Sequence, residues 1–407
     1  MLALATAFTH ASTATSAAAE LISIIDDRLE AADSVVGGIL WATAAAGIQG
    51  PEIGQLLTDR WPGAMLVGSS FEGVLGEGRS WRDRPAFELL VWTAGPGEPV
   101  PLILEPFSCE ISSDELDHLE SVLRGAAPGG APKAEDLVLL FPDAHSPGEL
   151  ESTFAELTDR LGGVRFAGTA ASGPVSSPCL SWVAGESEPG SSIGLYLPGG
   201  AASGATGERL VRAQGSRFAS PWLEISQARD RWIYSLEGES PLDWIRRQLG
   251  LGAKERVEPY LDRLLVRVRD RVEGAEASDL PLDEDLKDFV ERYIVGVDPN
   301  RGSISLPGDF QQGGQLAFAL PDAALAQASL RRAVGELPPS QLVLQFGCRA
   351  RDEALHGDDD VEIALVDFGS GTADAIGTVA PFQLAPGLDG RCRIFVHSTL
   401  LVAIGPL

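Results

Sequence analysis

The sequence predicts an α/β or α+β protein in two parts, with internally duplicated strand–helix–strand units in layered mixed sheets covered by helices. Three observations carry this expectation. The string Leu57-Thr58-Asp59-Arg60 recurs as Leu157-Thr158-Asp159-Arg160. At the same offset downstream, Val67-Gly68-Ser69-Ser70 is answered by Ala167-Gly168-Thr169-Ala170, and upstream the apolar run 35–41 is answered by 137–141. Short apolar runs with few charges alternate with helical periodicity, the pattern of strands buried beneath helices.

The elements follow in order. Leu2–Phe8 reads as a first strand and Thr15–Glu30 as a helix. Ser34–Thr43 and Met65–Val67 are buried strands, with helical periodicity over Gly54–Arg60 between them. Ala86–Trp92 and Pro101–Pro106 are strands around the Gly95-Pro96-Gly97 turn. Ser112–Leu123 is a helix with a serine N-cap and acidic residues in its first turn. Gly125–Lys133 connects the two copies. Leu137–Phe141 and the helix Gly148–Leu161 repeat the strand and helix of the first copy, and Ser181–Ala184 and Ile193–Leu197 close the second. The small-residue stretch Pro198–Gly207 marks the main boundary. The expected parts are therefore 1–205, with units of about 1–107 and 108–205, and 206–407. In the second part, Gly207–Trp244 alternates like a strand region, while Asp243–Gln248, Arg256–Val272 and Asp283–Tyr293 read as helices of mixed charge. Ile294–Leu306 and Gln315–Leu320 are strands, the first broken by the turn Asp298-Pro299-Asn300-Arg301-Gly302. The amphipathic helix Asp322–Gly335, the strand Gln341–Gly347 and Cys348-Arg349-Ala350-Arg351 echo the N-terminal unit, and Cys392–Val396 begins the last strand.

The 407 residues carry 58 acidic and 31 basic side chains, a formal charge of −27. Such a surface disfavours nucleic acid and anionic membranes, which need a basic footprint. No apolar run reaches the roughly 20 residues that span a bilayer. The Ala-rich start has no basic residue before Arg28, so it does not read as a secretory signal. Four widely spaced cysteines (Cys109, Cys179, Cys348, Cys392) form no C-x-x-C pair, and reduced thiols in a cytoplasmic location are expected.

The chemistry-bearing strings are few. Gly68-Ser69-Ser70-Phe71-Glu72-Gly73 and Gly168-Thr169-Ala170-Ala171-Ser172-Gly173 are glycine-flanked hydroxyl turns after strands. Free backbone N–H groups and hydroxyls there can hold a small polar ligand; alternatively the glycines only permit a tight turn. Neither string is a phosphate loop or a G-x-S-x-G nucleophile elbow, and no spacing supplies Ser69 or Ser70 with a base. No enzyme activity is therefore expected. Arg217, in Gln214-Gly215-Ser216-Arg217, can pair a ligand carboxylate. Cys348, beside Arg349 and Arg351, reads either as a ligand-facing thiol or as a small buried residue. Among five histidines none has metal spacing, and His397, in the last strand, is the one most suited to face inward. The run Asp358-Asp359-Asp360 reads as a solvated loop, and no metal site is expected.

In order along the chain, these strings resemble the FIST (F-box and intracellular signal transduction) family. The matching segments are Val67 to Val74, Gly168 to Ala171, Gln214 to Arg217, Ile294 to Pro299, Asp322-Ala323, Phe346 to Arg351, and His397 with Thr399. The chain departs from the family pattern at Ser216, where a cysteine is usual, at Pro321, where an arginine is usual, and at Gly377–Pro381, where a Gly-Glu segment is usual. The resemblance implies a small-ligand-binding sensory protein, with amino acids as proposed ligands, that passes its signal to a partner protein. The expected ligand-binding residues are Ser69, Ser70, Gly73, Thr169, Ala170, Gln214, Arg217, Cys348, Arg351 and His397, in a cleft between the two parts. No cofactor is required, but some members resemble haem-binding nitric-oxide sensors, so haem on His397 is an alternative, as is a non-catalytic scaffold.

Overall fold

The computed structural model describes residues 2–29, 34–95, 97–104, 111–145, 150–173, 179–188, 190–199, 209–252, 255–269, 289–308, 310–371, 373–387 and 389–405. The chain folds into two compact units. The first comprises Met1–Ala213, Gln327–Ile394 and Ser398–Leu407; the second comprises Gln214–Ala326 and Phe395–His397. The boundary expected at Pro198–Gly207 falls largely outside the described residues. The observed division differs from two sequential halves, because the C-terminal strands pair inside the first unit.

The first unit repeats one module three times. Module 1 runs β1 (Leu4–Thr9), α1 (Ala14–Arg28), β2 (Val35–Thr43), α2 (Gly50–Arg60), β3 (Met65–Phe71), the hairpin β4 (Gly73–Gly76) and β5 (Arg79–Arg82), then β6 (Phe87–Thr93). Module 2 runs β7 (Val100–Leu104), α3 (Ser113–Ala126), β8 (Leu137–Phe141), α4 (Leu150–Arg160), β9 (Arg165–Thr169), the hairpin β10 (Ser181–Val183) and β11 (Glu186–Ser187), then β12 (Ser192–Leu197). Module 3 opens with β13 (Leu210–Gln214). The chain then builds the second unit from β14 (Ser216–Phe218), β15 (Leu223–Arg229), β16 (Trp232–Leu236), α5 (Pro241–Leu249), β17 (Leu265–Arg269), β18 (Val290–Tyr293), β19 (Gly296–Asp298), β20 (Ser303–Ser305) and β21 (Gln315–Pro321). Module 3 resumes with α6 (Ala323–Glu336), β22 (Leu342–Cys348), the short α7 (Glu353–His356), α8 (Val361–Ser370), β23 (Asp374–Ala380), the hairpin β24 (Gln383–Pro386) and β25 (Cys392–Phe395), and β26 (Ser398–Ile404).

Each module makes one six-stranded sheet around a parallel pair: β2 with β3, β8 with β9, β22 with β23. The sheet orders are β1-β6-β2-β3-β10-β11, β7-β12-β8-β9-β24-β25 and β13-β26-β22-β23-β4-β5. The edge beyond each parallel pair is filled by another module's hairpin. Module 2 lends its hairpin to module 1, module 3 to module 2, and module 1 to module 3. This closed exchange ties the three modules together and leaves no outer strand of a parallel pair as a free edge.

One face of each sheet is covered by that module's helices. Leu21, Ile25, Ile53 and Leu57 of α1 and α2 pack on Leu40, Phe87 and Leu89. Leu119, Leu123, Phe154 and Leu157 of α3 and α4 pack on Val138, Leu140 and Phe166. Leu330, Val334, Ile363 and Val366 of α6 and α8 pack on Val343, Ala375 and Leu401. The three opposite faces meet each other, which is why residues of both parities along these strands are buried. Ser112 caps α3 with a reciprocal capping box to Glu115, as its acidic first turn predicts.

The second unit is a mostly antiparallel sheet ordered β18-β17-β21-β15-β16-β20-β19, with β14 also on β21. Its core gathers Leu223, Ile233, Trp244, Val266, Ile304 and Phe318. The helix expected over Arg256–Val272 is corrected here to a 3-10 turn, Glu258–Arg263, followed by β17, with 270–272 outside the described residues. Leu265-Val266-Arg267-Val268-Arg269 alternates with the strand period, and β-branched residues between arginines suit a sheet better than a helix. Of the helix expected over Asp283–Tyr293, residues 283–288 lie outside the described residues and Val290–Tyr293 is a strand. Beneath that sheet Arg267 is buried against Glu291 at 3.2 Å, donates to the Ser216 carbonyl at 2.6 Å, and lies over the rings of Phe218 and Phe289 at 4.2 and 4.3 Å.

Candidate functional site: the axial layer of the first unit

Strand register aligns the three modules residue by residue. Gly68, Gly168 and Gly377 occupy the same place in β3, β9 and β23, and Ser69, Thr169 and Thr378 follow them. On the neighbouring parallel strands stand Trp41, Phe141 and Phe346. These three rings meet edge-on around a pseudo-threefold axis, with centroids 6.0, 6.2 and 5.6 Å apart. The same layer includes Glu88, Ile193 and Leu400 on the antiparallel side. On the exchanged hairpins it includes Ser181, Gln383 and Val74.

The glycines do not serve the expected turn. They sit inside strands, and their role is close approach. A Cβ at Gly68 would lie 2.2 Å from Trp182 of the exchanged hairpin, and one at Gly377 would lie 1.7 Å from the Gln345 carbonyl. Trp182, Leu384 and Leu75 are the three equivalent hairpin residues facing these glycines, and all are buried.

The two hydroxyl segments read from the sequence do meet. Ser70 Oγ donates to the Ser172 carbonyl at 2.7 Å, and the Ser172 N–H donates to the Ser70 carbonyl at 2.8 Å. Ser70 Oγ also accepts from the Leu180 N–H at 3.0 Å. Ser69 Oγ is 3.1 Å from Ser181 Oγ, which donates to the Ser191 carbonyl at 2.8 Å. Cys179 lies beside Ser181, and burial first, with Asp143 adding, pushes its thiol up to about 11. Thr169 Oγ1 donates to the Phe382 carbonyl at 3.0 Å. Each of these three expected ligand hydroxyls thus already has a protein partner.

The other two corners of the layer are different. Ser398 Oγ donates to Gln383 Oε1 at 2.9 Å, but Gln383 Nε2 has no partner. Thr378 Oγ1 faces Val74 and has none either, and the Trp41 indole Nε1 is likewise unpaired. All three side chains are 0% exposed. Sequence reasoning missed them. The available signal was spacing: 28 residues separate Trp41 from Ser69 and Phe141 from Thr169, and 32 separate Phe346 from Thr378.

The remaining expected residues scatter. Gly73 begins β4, paired with Val379, and Ala170 is buried just after β9. Cys348 ends β22 as a buried residue with its thiol 3.6 Å from the Pro381 carbonyl, the small-residue alternative. Arg351, expected to neutralise a ligand, is 1% exposed and 2.6 Å from Glu362. Burial alone would raise the Glu362 carboxyl. Arg351, His356 and Thr399 together outweigh it and hold the group at about 2. The family-like residues Arg351 and Thr399 therefore converge on a structural carboxylate rather than a ligand. Gln214, Arg217 and His397 belong to the second unit. Gln214 is buried, Arg217 is exposed with Asp322 3.9 Å away, and His397 is buried with φ +53. Among the described residues no group of three or more His, Cys, Asp or Glu could hold a metal ion.

Comparison with known proteins supports the family reading in the C-terminal part. Residues 241–380, from α5 to the end of β23, match the family model of the FIST C domain. An uncharacterized protein of Mycobacterium tuberculosis is 26% identical over 361 residues, covering 82% of this chain and 84% of the relative. An uncharacterized protein of Mycobacterium bovis is 32% identical over 109 residues, 26% of this chain and 28% of that relative. A crystal structure of a cyanuric acid hydrolase from A. caulinodans aligns over 99% of this chain and 100% of its own, at 12% identity and a TM-score of 0.32, too low to carry an argument. Among the described residues no helix is long and apolar enough to cross a membrane.

Proposed function

We propose that the protein is a small-ligand-binding sensory protein that acts through a partner protein, with the ligand held in the axial layer of the first unit. One observation supports this most. Trp41 Nε1, Thr378 Oγ1, Gln383 Nε2 and Glu88 Oε2 are buried without a hydrogen-bond partner and belong to a single layer. A buried polar group left unmade costs about 1–3 kcal/mol, and native cores seldom keep several together without a use.

Binding is favoured over catalysis by the same geometry. Ser69 touches Ser181 rather than a base, and the nearby thiol is pushed away from ionisation. Passage of the signal to a partner is suggested by the match of residues 241–380 to the FIST C domain and is tested by co-purification. The ligand reading is tested by thermal shift against amino acids, amides and small acids, with native mass spectrometry of the purified protein. At a ligand concentration of 100 Kd, about 2.7 kcal/mol of added stability is expected. No shift with any compound, together with a ligand-free mass, overturns it.

A further inference from the structure

The three helix layers of the first unit differ on their outer sides. Helices α1 and α2 carry five acidic residues and two arginines, and α3 and α4 carry seven and two. All four of those arginines meet a carboxylate: Arg28 with Asp374, Arg60 with Asp26, Arg124 with Glu120 and Arg160 with Asp117. The third layer, α6 and α8, holds two exposed arginines, Arg331 and Arg332, and neither meets a carboxylate among the described residues. Arg331 reaches Gln327 Oε1 at 3.3 Å. Phe368 of α8 is 90% exposed, and no other large apolar side chain of these six helices is exposed among the described residues. Helix α8 lies close on α6, where a Cβ on Gly369 would stand 2.7 Å from Val334 Cγ1. Phe368 precedes that glycine and Arg331 lies one helical turn before Val334. The two therefore flank the contact on its solvent side, while Leu330, Ile363 and Val366 fill the core side. Val361, Leu365 and Phe368 stand at i, i+4 and i+7, an apolar stripe along the outside of α8. The acidic residues lie off this stripe. Asp367 has Oδ2 3.8 Å from the Cβ position of Gly78, and Glu336 lies on the outer side of α6, one turn beyond Arg332.

We propose that this outer face of α6 and α8 docks an amphipathic, acid-rimmed helix of a partner protein, its apolar residues on Leu365 and Phe368 and its carboxylates on Arg331 and Arg332. The proposal names a surface for the partner half of the function proposed above, and rests on it. Charge selects this occupant. Guanidinium groups without a carboxylate, beside an open apolar stripe, complement acidic side chains around an apolar contact. A second copy would instead bring together two bodies of formal charge −27. The test uses a fluorescently labelled, designed helical peptide with leucines at i, i+4 and i+7 flanked by glutamates, and a twin with glutamine for each glutamate. Each is titrated with the full chain at low salt and followed by anisotropy. The glutamate peptide should bind saturably and several-fold more tightly than its twin. Phe368→Ser should weaken it several-fold at unchanged melting temperature, Phe368→Leu should restore it, and Arg331→Glu should erase the preference for glutamate. No binding, equal binding of the twin, or an affinity unchanged in Phe368→Ser overturns the assignment. A wild-type dimer in sedimentation velocity that Phe368→Ser disperses also overturns it, because a second copy then covers the face. A failed peptide beside a co-purified partner that Phe368→Ser still retains removes this surface alone. The absence of any co-purified partner counts against the reading it rests on.

Discussion

The corner built from Ser69 and Ser181 and the corner built from Thr378 and Val74 share one backbone plan but not one chemistry. In the first, each hydroxyl is closed onto a neighbour, ending at the Ser191 carbonyl. In the second, Val74 replaces the partner hydroxyl and Thr378 is left unpaired, while burial holds the carboxyl of Glu88, in the same layer, well above its usual range. The difference teaches that the threefold repetition supplies a scaffold, whereas side-chain divergence at equivalent positions decides which joint is sealed and which keeps hydrogen-bonding capacity.

The comparison is broken most severely at the sealed corner's anchor. Trp182→Ala removes the ring that fills the space facing Gly68 and should cost about 3–5 kcal/mol in urea unfolding. Leu75→Ala, its equivalent at the open corner, should cost about 2–5 kcal/mol. A loss at Trp182 within the range of surface substitutions would mean that the exchanged hairpin does not tie the modules together. Gly68→Ala should destabilise by about 1–3 kcal/mol through overpacking. Combined with Trp182→Ala it should cost less than the two separately, because the clash disappears with the ring.

Glu88→Gln sharpens the contrast through pH. The folded carboxyl pKa is raised, so its stabilising effect is whole below the unfolded value and fades as pH rises toward the folded value. Relative to wild type, Glu88→Gln should gain about 1.4 kcal/mol per pH unit above about pH 4.3, until Glu88 ionises. Parallel pH profiles for the two proteins would contradict a neutral buried acid. The smallest effects should differ in sign. Ser181→Ala should cost about 1 kcal/mol by opening the sealed chain, whereas Thr378→Val should be neutral or stabilising because it removes an unpaired hydroxyl. Equal losses at both positions would erase the distinction between the corners.

Two of the three modules were legible because they still share a helix string and a Gly-hydroxyl string at one offset. The third was only an echo. The second unit separates β13 from α6, and α8 lacks the Leu-Thr-Asp-Arg string that marks α2 and α4. The exchange of hairpins could not be read at all, since pairing of β4 with β23 is set by distant partners rather than local pattern. For the site, the sequence led to hydroxyls in recognisable strings, Ser69, Ser70 and Thr169, which the fold uses internally. Trp41 and Gln383 carry no local motif, and only register brings them into the layer. Arg351 looked available because its partner Glu362 lies on another element, eleven residues away.

The central claim is that the ligand sits on the pseudo-threefold axis of the first unit. A crystal structure of the protein with the best compound from the thermal-shift screen tests it most directly. The account predicts ligand density among Trp41, Thr378 and Gln383, within hydrogen-bonding distance of at least two of them. Density lying elsewhere, for instance against Arg217, with those three side chains untouched, would contradict it.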